Sequence, residues 1–351
     1  MRNRWTSTGA AIAACLLVLA GMSTGLSGQA RKAYRLGYVL HGLNEFTQVI
    51  KRGAEDAAKD YGAQIEVVAP SSFERPQEAI ALFQGFVQKR LDGIAVVTNP
   101  GEVWTRPLED AAKAGIPVMT ANVAPLPTAE FGAWFGQDEY QSGVILAREM
   151  RRFLTAQGIR SGKIVVGICA PGVGVLVARY NGFKRGMEGS GFTVTEPRDV
   201  THDITTNYSA WESQHNANPD MVAAIGLCSI DIPNMAKLKE RVRAKWMIGG
   251  YDLNIPTLDA IRSGVAQVTV GQHPYLQGYL PIRALVETLE GKLRIRQKWI
   301  NVGTEVVTKA NVNTVYRREK DPQFMRQWYR NHMARNFRDL ARLGRPMPQW
   351  K

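Results

Sequence analysis

The sequence predicts an α/β protein of two similar doubly wound parallel-sheet lobes, hinged about a cleft between them. Three observations lead there. From Tyr34 onward, short apolar runs alternate with stretches whose apolar residues recur at threes and fours. The alternation restarts near Gly143, giving two series in one chain. Polar side chains cluster just after the apolar runs, at the carboxyl edge where open α/β sheets receive ligands. At 351 residues, 45% hydrophobic and 21% charged, the chain is long enough for two cores.

The first thirty residues stand apart. Arg2 and Arg4 precede an apolar run over 10–22, and Ser27-Gly28-Gln29-Ala30 supplies small residues. This layout predicts a signal peptide over 1–30, cleaved after Ala30, and an exported mature protein. The run is too short to span a bilayer comfortably.

The first lobe then reads in order as a strand over 34–40, a helix over 46–61, a strand over 64–68 and a helix over 76–89. A strand over 93–97, a helix over 108–114 and a strand over 116–120 follow. Asn44 stands where a helix cap would. The second lobe begins with a helix to about Gln157. Strands are expected over 163–168, 192–195, 221–227, 246–248 and 268–270, with helices over 178–188, 211–216, 232–242 and 258–261 between them. Gly249-Gly250 is read as the turn ending the strand over 246–248. A helix over 285–289 and a strand within 299–307 complete the body. The lobes are assigned as 31–137 plus 273–300, and 138–272 plus 301–316, with right-handed crossovers.

Beyond Tyr316 the character changes. Met325, Tyr329, Met333, Phe337 and Leu340 form one stripe of an amphipathic helix, with arginines elsewhere. Residues 317–351 are therefore assigned as a basic extension, packed on the body, with weak contact to an acidic membrane or partner as the alternative. The chain carries 44 basic and 31 acidic residues, a net +13. Removing Arg2 and Arg4 leaves 42 − 31 = +11, and the ten basic and three acidic residues of 317–351 account for +7 of that. The body is only mildly basic, which argues against nucleic-acid binding.

Of three cysteines, Cys15 falls in the signal peptide. Cys169 and Cys228 are free to pair in an exported protein; the reading adopted is two small buried residues at strand ends. Gly172-Val173-Gly174 imitates a dinucleotide fingerprint but lacks the third glycine, and it reads as an ordinary strand–helix loop. The five histidines show no metal-ligand spacing, and no Gly-x-Ser-x-Gly elbow is present. No metal and no cofactor are expected.

What remains is a set at strand ends: Asn44, Phe46, Asn99, Asn122, Arg179, Tyr251, Asp252 and Gln272. Planar amide, carboxylate and guanidinium groups suit hydroxyls that donate and accept, and aromatic rings cover the apolar faces of a sugar. The set holds no proton-transfer pair and no activated nucleophile, so it is read as a binding site without catalytic residues.

These residues resemble the type I periplasmic sugar-binding proteins of ABC importers, specifically the ribose-binding-protein-like group, over about Tyr34 to Asn313. Leu43-Asn44-Glu45-Phe46-Thr47 is similar to the family's first ligand loop, and Thr98-Asn99-Pro100 to its Ile-Asn-Pro. Arg179 ahead of Gly182-Phe183, Gly250-Tyr251-Asp252, and Gln272 at the last crossover also match. Departures are Thr47 for a second Phe, Asn122-Val123 for Asp-Arg, Cys228 or Ser229 for an Asn, and His202 for an aromatic residue. The resemblance implies a periplasmic monomer that captures a small sugar or polyol and delivers it to an inner-membrane ABC permease. It adds His202 and Cys228 to the ligand set and places hinges near Gln137, Gln272 and 299–302. The departures point away from ribose itself, toward another pentose, a polyol or a different small polar ligand. A receptor for a chemotaxis or sensor-kinase partner, or an exported enzyme, stays open.

Overall fold

The computed structural model describes residues 33–349, and the signal peptide expected over 1–30 lies outside the described residues. The first series comprises β1 (Arg35–Val39), α1 (Glu45–Tyr61), β2 (Gln64–Val68), α2 (Pro76–Gln88), β3 (Gly93–Val96), α3 (Thr105–Lys113), β4 (Val118–Ala121) and β5 (Ala133–Gly136). The second opens with α4 (Glu139–Ala156), β6 (Gly162–Ile168), α5 (Gly174–Met187), β7 (Phe192–Val194), β8 (Arg198–Asp199) and α6 (Ile204–Ala217). It continues through β9 (Met221–Gly226), α7 (Asp231–Val242), β10 (Met247–Tyr251), α8 (Ile255–Ser263) and β11 (Val268–Gly271). Then come α9 (Pro274–Leu289), β12 (Lys298–Asn301), β13 (Glu305–Thr308), α10 (Val312–Lys320), α11 (Pro322–Asn336) and α12 (Leu340–Leu343).

Two sheets result, ordered β12-β5-β4-β3-β1-β2 and β13-β11-β10-β9-β6-β7, with β8 beside β6. Every pairing is parallel except β11 with β13, which is antiparallel. Three segments connect the sheets: β5 to α4, β11 to α9 with β12 beyond it, and β12 to β13. Gln137 ties them together. Its Nε2 donates to the Gly271 carbonyl at 3.0 Å and to Thr304 Oγ1 at 2.9 Å.

Local chemistry explains the boundaries. Asn44 caps α1 in a reciprocal box with Thr47, and Gly62 ends the helix at φ 65. Helices then pack closely across glycines. A Cβ on Gly278 of α9 would sit 1.9 Å from the Ile50 carbonyl oxygen of α1, and one on Gly182 of α5 equally close to that of Tyr140 in α4. Both neighbours are backbone, so they cannot rotate away. We expect Gly278→Ala to separate α1 from α9 and destabilise the protein by about 1–3 kcal/mol, read as a lowered urea midpoint at unchanged m-value.

Several sequence expectations need correction. The strand expected to stop at Gly249-Gly250 runs on to Tyr251, because both glycines lie inside the sheet against Val268 and Thr269 of β11. The helix expected over 285–289 begins at Pro274. Pro274 occupies its first turn, where the missing N–H costs nothing, while Gly278 and Pro281 concealed the rest. The stretch over 299–307 holds two strands, one in each sheet. Cys169 and Cys228, read as separate thiols, form a disulfide joining the ends of β6 and β9, their Cα atoms 6.2 Å apart.

The C-terminal extension packs on the body. Its stripe of Met325, Tyr329, Met333, Phe337 and Leu340 is buried throughout. α10 lies on the half built around the second sheet, where Val312 and Val315 join its core and Arg318 pairs with Glu305 of β13. α11 lies on the other half, where Arg326 pairs with Asp56 of α1 at 3.0 Å and Tyr329 stacks on Tyr275 of α9, ring centroids 4.5 Å apart. His273, between β11 and α9, meets Tyr329 Oη through Nδ1 at 3.2 Å. Among the described residues no helix is long and apolar enough to cross a membrane.

Candidate functional site

The carboxyl ends of both sheets face one cavity. From the first half come His41 and Asn44 after β1, Phe46 in α1, Phe73 after β2, and Asn122 and Val123 after β4. From the second come Cys169 after β6, Val175, Leu176 and Arg179 of α5, His202 after β8, Cys228 and Ser229 after β9, and Asp252 after β10. Gln272 enters from the connection after β11.

The structure thus brings eight sequence-predicted residues together: Asn44, Phe46, Asn122, Arg179, His202, Cys228, Asp252 and Gln272. Two do not line the cavity. Tyr251 lies behind Arg179, its ring 4.1 Å from the guanidinium and its hydroxyl 3.0 Å from Ser142 Oγ. That follows from β10 reaching Tyr251: the residue belongs to the strand, and Asp252 is the first beyond it. Asn99 is buried after β3, where its carbonyl accepts from Trp104 Nε1 at 3.4 Å.

The polar groups form a connected chain across the site. Asn122 Nδ2 donates to Gln272 Oε1 and to Gln277 Oε1, each at 3.0 Å. Gln272 Nε2 donates in turn to Asp252 Oδ1 at 2.7 Å. Asn122 and Asp252 both hold positive φ, 61 and 73, a conformation Asn and Asp tolerate better than most residues. Such backbone costs roughly 1–3 kcal/mol per residue and recurs at ligand sites.

Arg179 is buried and held from behind. Its Nε donates to Glu139 Oε2 at 2.6 Å, its Nη2 to Glu139 Oε1 at 3.3 Å, and its Nη1 to the Leu227 carbonyl at 2.8 Å. Glu139 opens α4 and is itself fully buried. Burial pushes the carboxyls of Glu139 and Asp252 above the usual range, and Arg179 opposes that in both.

Sequence reasoning missed Glu139, Phe73 and the lining role of His41. The signal for Glu139 was available: a buried arginine needs a carboxylate, and Asp138-Glu139 stands at the first residues of a helix. Phe73 lies in the irregular Ser71-Ser72-Phe73-Glu74 loop, where no periodicity marks it. Its ring spans the cleft and lies parallel to His202, centroids 4.6 Å apart at an angle of 3°. His41 meets Phe73 edge-on at 5.2 Å.

Burial, with His202 nearby, lowers the His41 pKa from 6.5 to about 3. The folded form therefore refuses a proton that the unfolded chain accepts. Its contribution to stability is intact above pH 6.5 and lost as pH falls below that value. Between pH 7 and pH 5 the loss is about 2 kcal/mol, from about 1.4 kcal/mol per pH unit. His41→Phe, which removes the titrating group, is expected to lose correspondingly less in urea titrations at the two pH values.

This architecture, two parallel α/β halves joined by three crossings around a polar cleft, defines a class of hinged ligand receptors. The periplasmic binding protein domain family matches residues 37–293, and the chain belongs to it. It is 26% identical over 249 residues to the xylose/arabinose-binding protein XylF of Sulfolobus acidocaldarius, a match covering 64% of this chain and 59% of that protein's length. It is 21% identical over 266 residues to the ribose import binding protein RbsB of Bacillus subtilis, covering 75% and 84%. An ABC transporter solute-binding protein from Burkholderia graminis, solved in complex with D-arabinose, superposes with TM-score 0.75 at 23% identity, over 80% of this chain and 97% of that one. A carbohydrate transporter solute-binding protein from Agrobacterium radiobacter, also with D-arabinose, gives TM-score 0.75 at 21% identity, over 84% and 99%. These two structural likenesses establish the fold. Among the described residues, no group of three or more His, Cys, Asp or Glu side chains is placed to hold a metal ion.

Proposed function

We propose that the chain is an exported receptor that captures a small sugar or polyol in the interlobe cleft and presents the closed form to an ABC permease, making and breaking no bond. The observation that carries this reading is the hydrogen-bonded chain Asn122–Gln272–Asp252, set among the rings of Phe46 and Phe73. Fixed planar groups beside aromatic faces match a hydroxyl-rich ring. The names of XylF and RbsB and the D-arabinose complexes support the same ligand class.

The halves are proposed as 31–137 plus 273–300 and 138–272 plus 301–316, with the hinge at the crossings that Gln137 ties together. Ligand held on both sides of the cleft favours closure only by its differential affinity for the shut form; Arg179, His202 and Asp252 supply that from the second half. Micromolar affinity needs about −8 kcal/mol, within reach of several buried charge-assisted hydrogen bonds and ring contacts.

The test is calorimetry on the mature chain with pentoses, hexoses and polyols, followed by prolonged incubation with each binder and analysis for product. Micromolar binding of at least one compound, recovered unchanged, is expected. Turnover, or no binding across the panel, would refute the assignment.

A further inference from the structure

The cleft gathers three buried carboxyl groups, Glu139, Asp231 and Asp252, around one guanidinium. Arg179 is the sole Lys or Arg side chain lining the inner cavity among the described residues. Its charge is already engaged by Glu139, through two donors, before any ligand arrives. Asp252 lines the same cavity, is 6% exposed, and has a neutral amide, that of Gln272, as its hydrogen-bond donor. A third carboxyl lies under the floor: Asp231 Oδ2 accepts from the Cys228 amide at 2.9 Å, and its full burial pushes its pKa up to about 6.

Glu139 and Asp231 sit in the first turns of α4 and α7, where the helix dipole supports negative charge. Asp252 lies two residues before Asn254, the cap of α8, and outside that helix's first turn. The two histidines on the cavity are disfavoured as sources of positive charge: burial lowers the pKa of both His41 and His202, and Glu74, which opposes this at His202, lies outside the inner lining. The remaining wall is uncharged, with Val123, Val175, Leu176 and the Cys169–Cys228 disulfide.

Resting on the proposed role as a sugar or polyol receptor, we infer that the cleft selects a cationic polyhydroxyl ligand, of the amino-sugar type, over a neutral sugar of the same shape, and rejects sugar acids. An ammonium placed against Asp252 would favour its ionised form, against the burial that raises its pKa, and exchange a neutral hydrogen bond for a charge-assisted one. A carboxylate there would meet Asp252 with no free cation to offset it.

The experiment is calorimetry at pH 6 and low salt on the mature chain with matched sets: D-glucose, D-glucosamine, N-acetyl-D-glucosamine and D-glucuronate, and the corresponding galactose series. D-arabinose, D-xylose and D-ribose are included as neutral pentoses. In at least one set the amino sugar should bind at least about tenfold more tightly than its neutral parent. N-acetylation, which keeps the nitrogen but removes its charge, should abolish that advantage, and the uronate should not bind. Asp252→Asn should shrink the ratio of amino to neutral affinity toward one; loss of binding to the amino sugar alone would also support the inference.

Neutral sugars binding as well as or better than amino sugars, or uronate binding, would overturn the charge selection while leaving the receptor reading intact. No binding by any sugar, neutral or charged, would overturn both.

Discussion

Asp252→Ala is expected to abolish ligand binding and leave the protein folded. The carboxylate stands at the junction of the cleft's polar chain, accepting from Gln272, which accepts in turn from Asn122. Its removal would delete an acceptor that lines the cavity and release the Gln272 amide that positions it. A hydrogen bond to a charged group contributes about 1.5–3 kcal/mol, and losing two such contacts would weaken binding by roughly a hundredfold or more. The fold should tolerate the change. Asp252 is buried without a salt-bridge partner, so no orphaned cation results, and its carboxyl already resists ionisation. Calorimetry would show no heat of binding with any ligand that the unaltered chain takes up, while circular dichroism and the melting temperature stay close to the parent. Unchanged affinity would remove Asp252 from the site.

Glu139→Ala has the larger effect on stability. Arg179 is enclosed by α4, α5 and the end of β9, with its guanidinium over the Tyr251 ring. Without Glu139, a buried positive charge keeps the Leu227 carbonyl as its remaining hydrogen-bond partner. Breaking a buried pair from one side costs about 3–5 kcal/mol. Urea unfolding should show a loss of that size, and Arg179→Met combined with Glu139→Ala should recover much of it, because the double variant leaves no unpaired charge. A loss under about 1 kcal/mol for the single variant would mean water reaches the guanidinium, contrary to its burial.

How much of this was legible in the sequence depends on what kind of signal each feature leaves. The alternation of strands and helices exposed both sheets, because periodicities of two and 3.6 are set by backbone geometry alone. The tail stripe from Met325 to Leu340 was equally plain. Helix α9 was not, because residues that disfavour helices occupy it for other reasons: Pro274 starts it, and Gly278 permits the approach of α1. Asn44, Asn122 and Asp252 were legible in the site as polar residues directly after strands. Glu139 was passed over because it contacts Arg179 rather than the cavity, although a buried arginine calls for such a partner. Tyr251 was misplaced because its strand was read three residues short, ending at Ile248, enough to put in the cleft a side chain that belongs to the wall behind it. The disulfide depends on where two strand ends lie relative to each other, which spacing along the chain does not reveal.

Lastly, the residues after Asn311 behave as a strap. With α10 fastened to one half and α11 to the other, the short link at Asp321 is a further tether, and any swing apart must slide Tyr329 against Tyr275 or loosen Arg318 from Glu305. The apparent dissociation constant varies inversely with the fraction of molecules already in the competent shape. A stretch outside the cavity lining is thus placed to tune how avidly a guest is gripped, leaving the pocket itself to decide which guest that is.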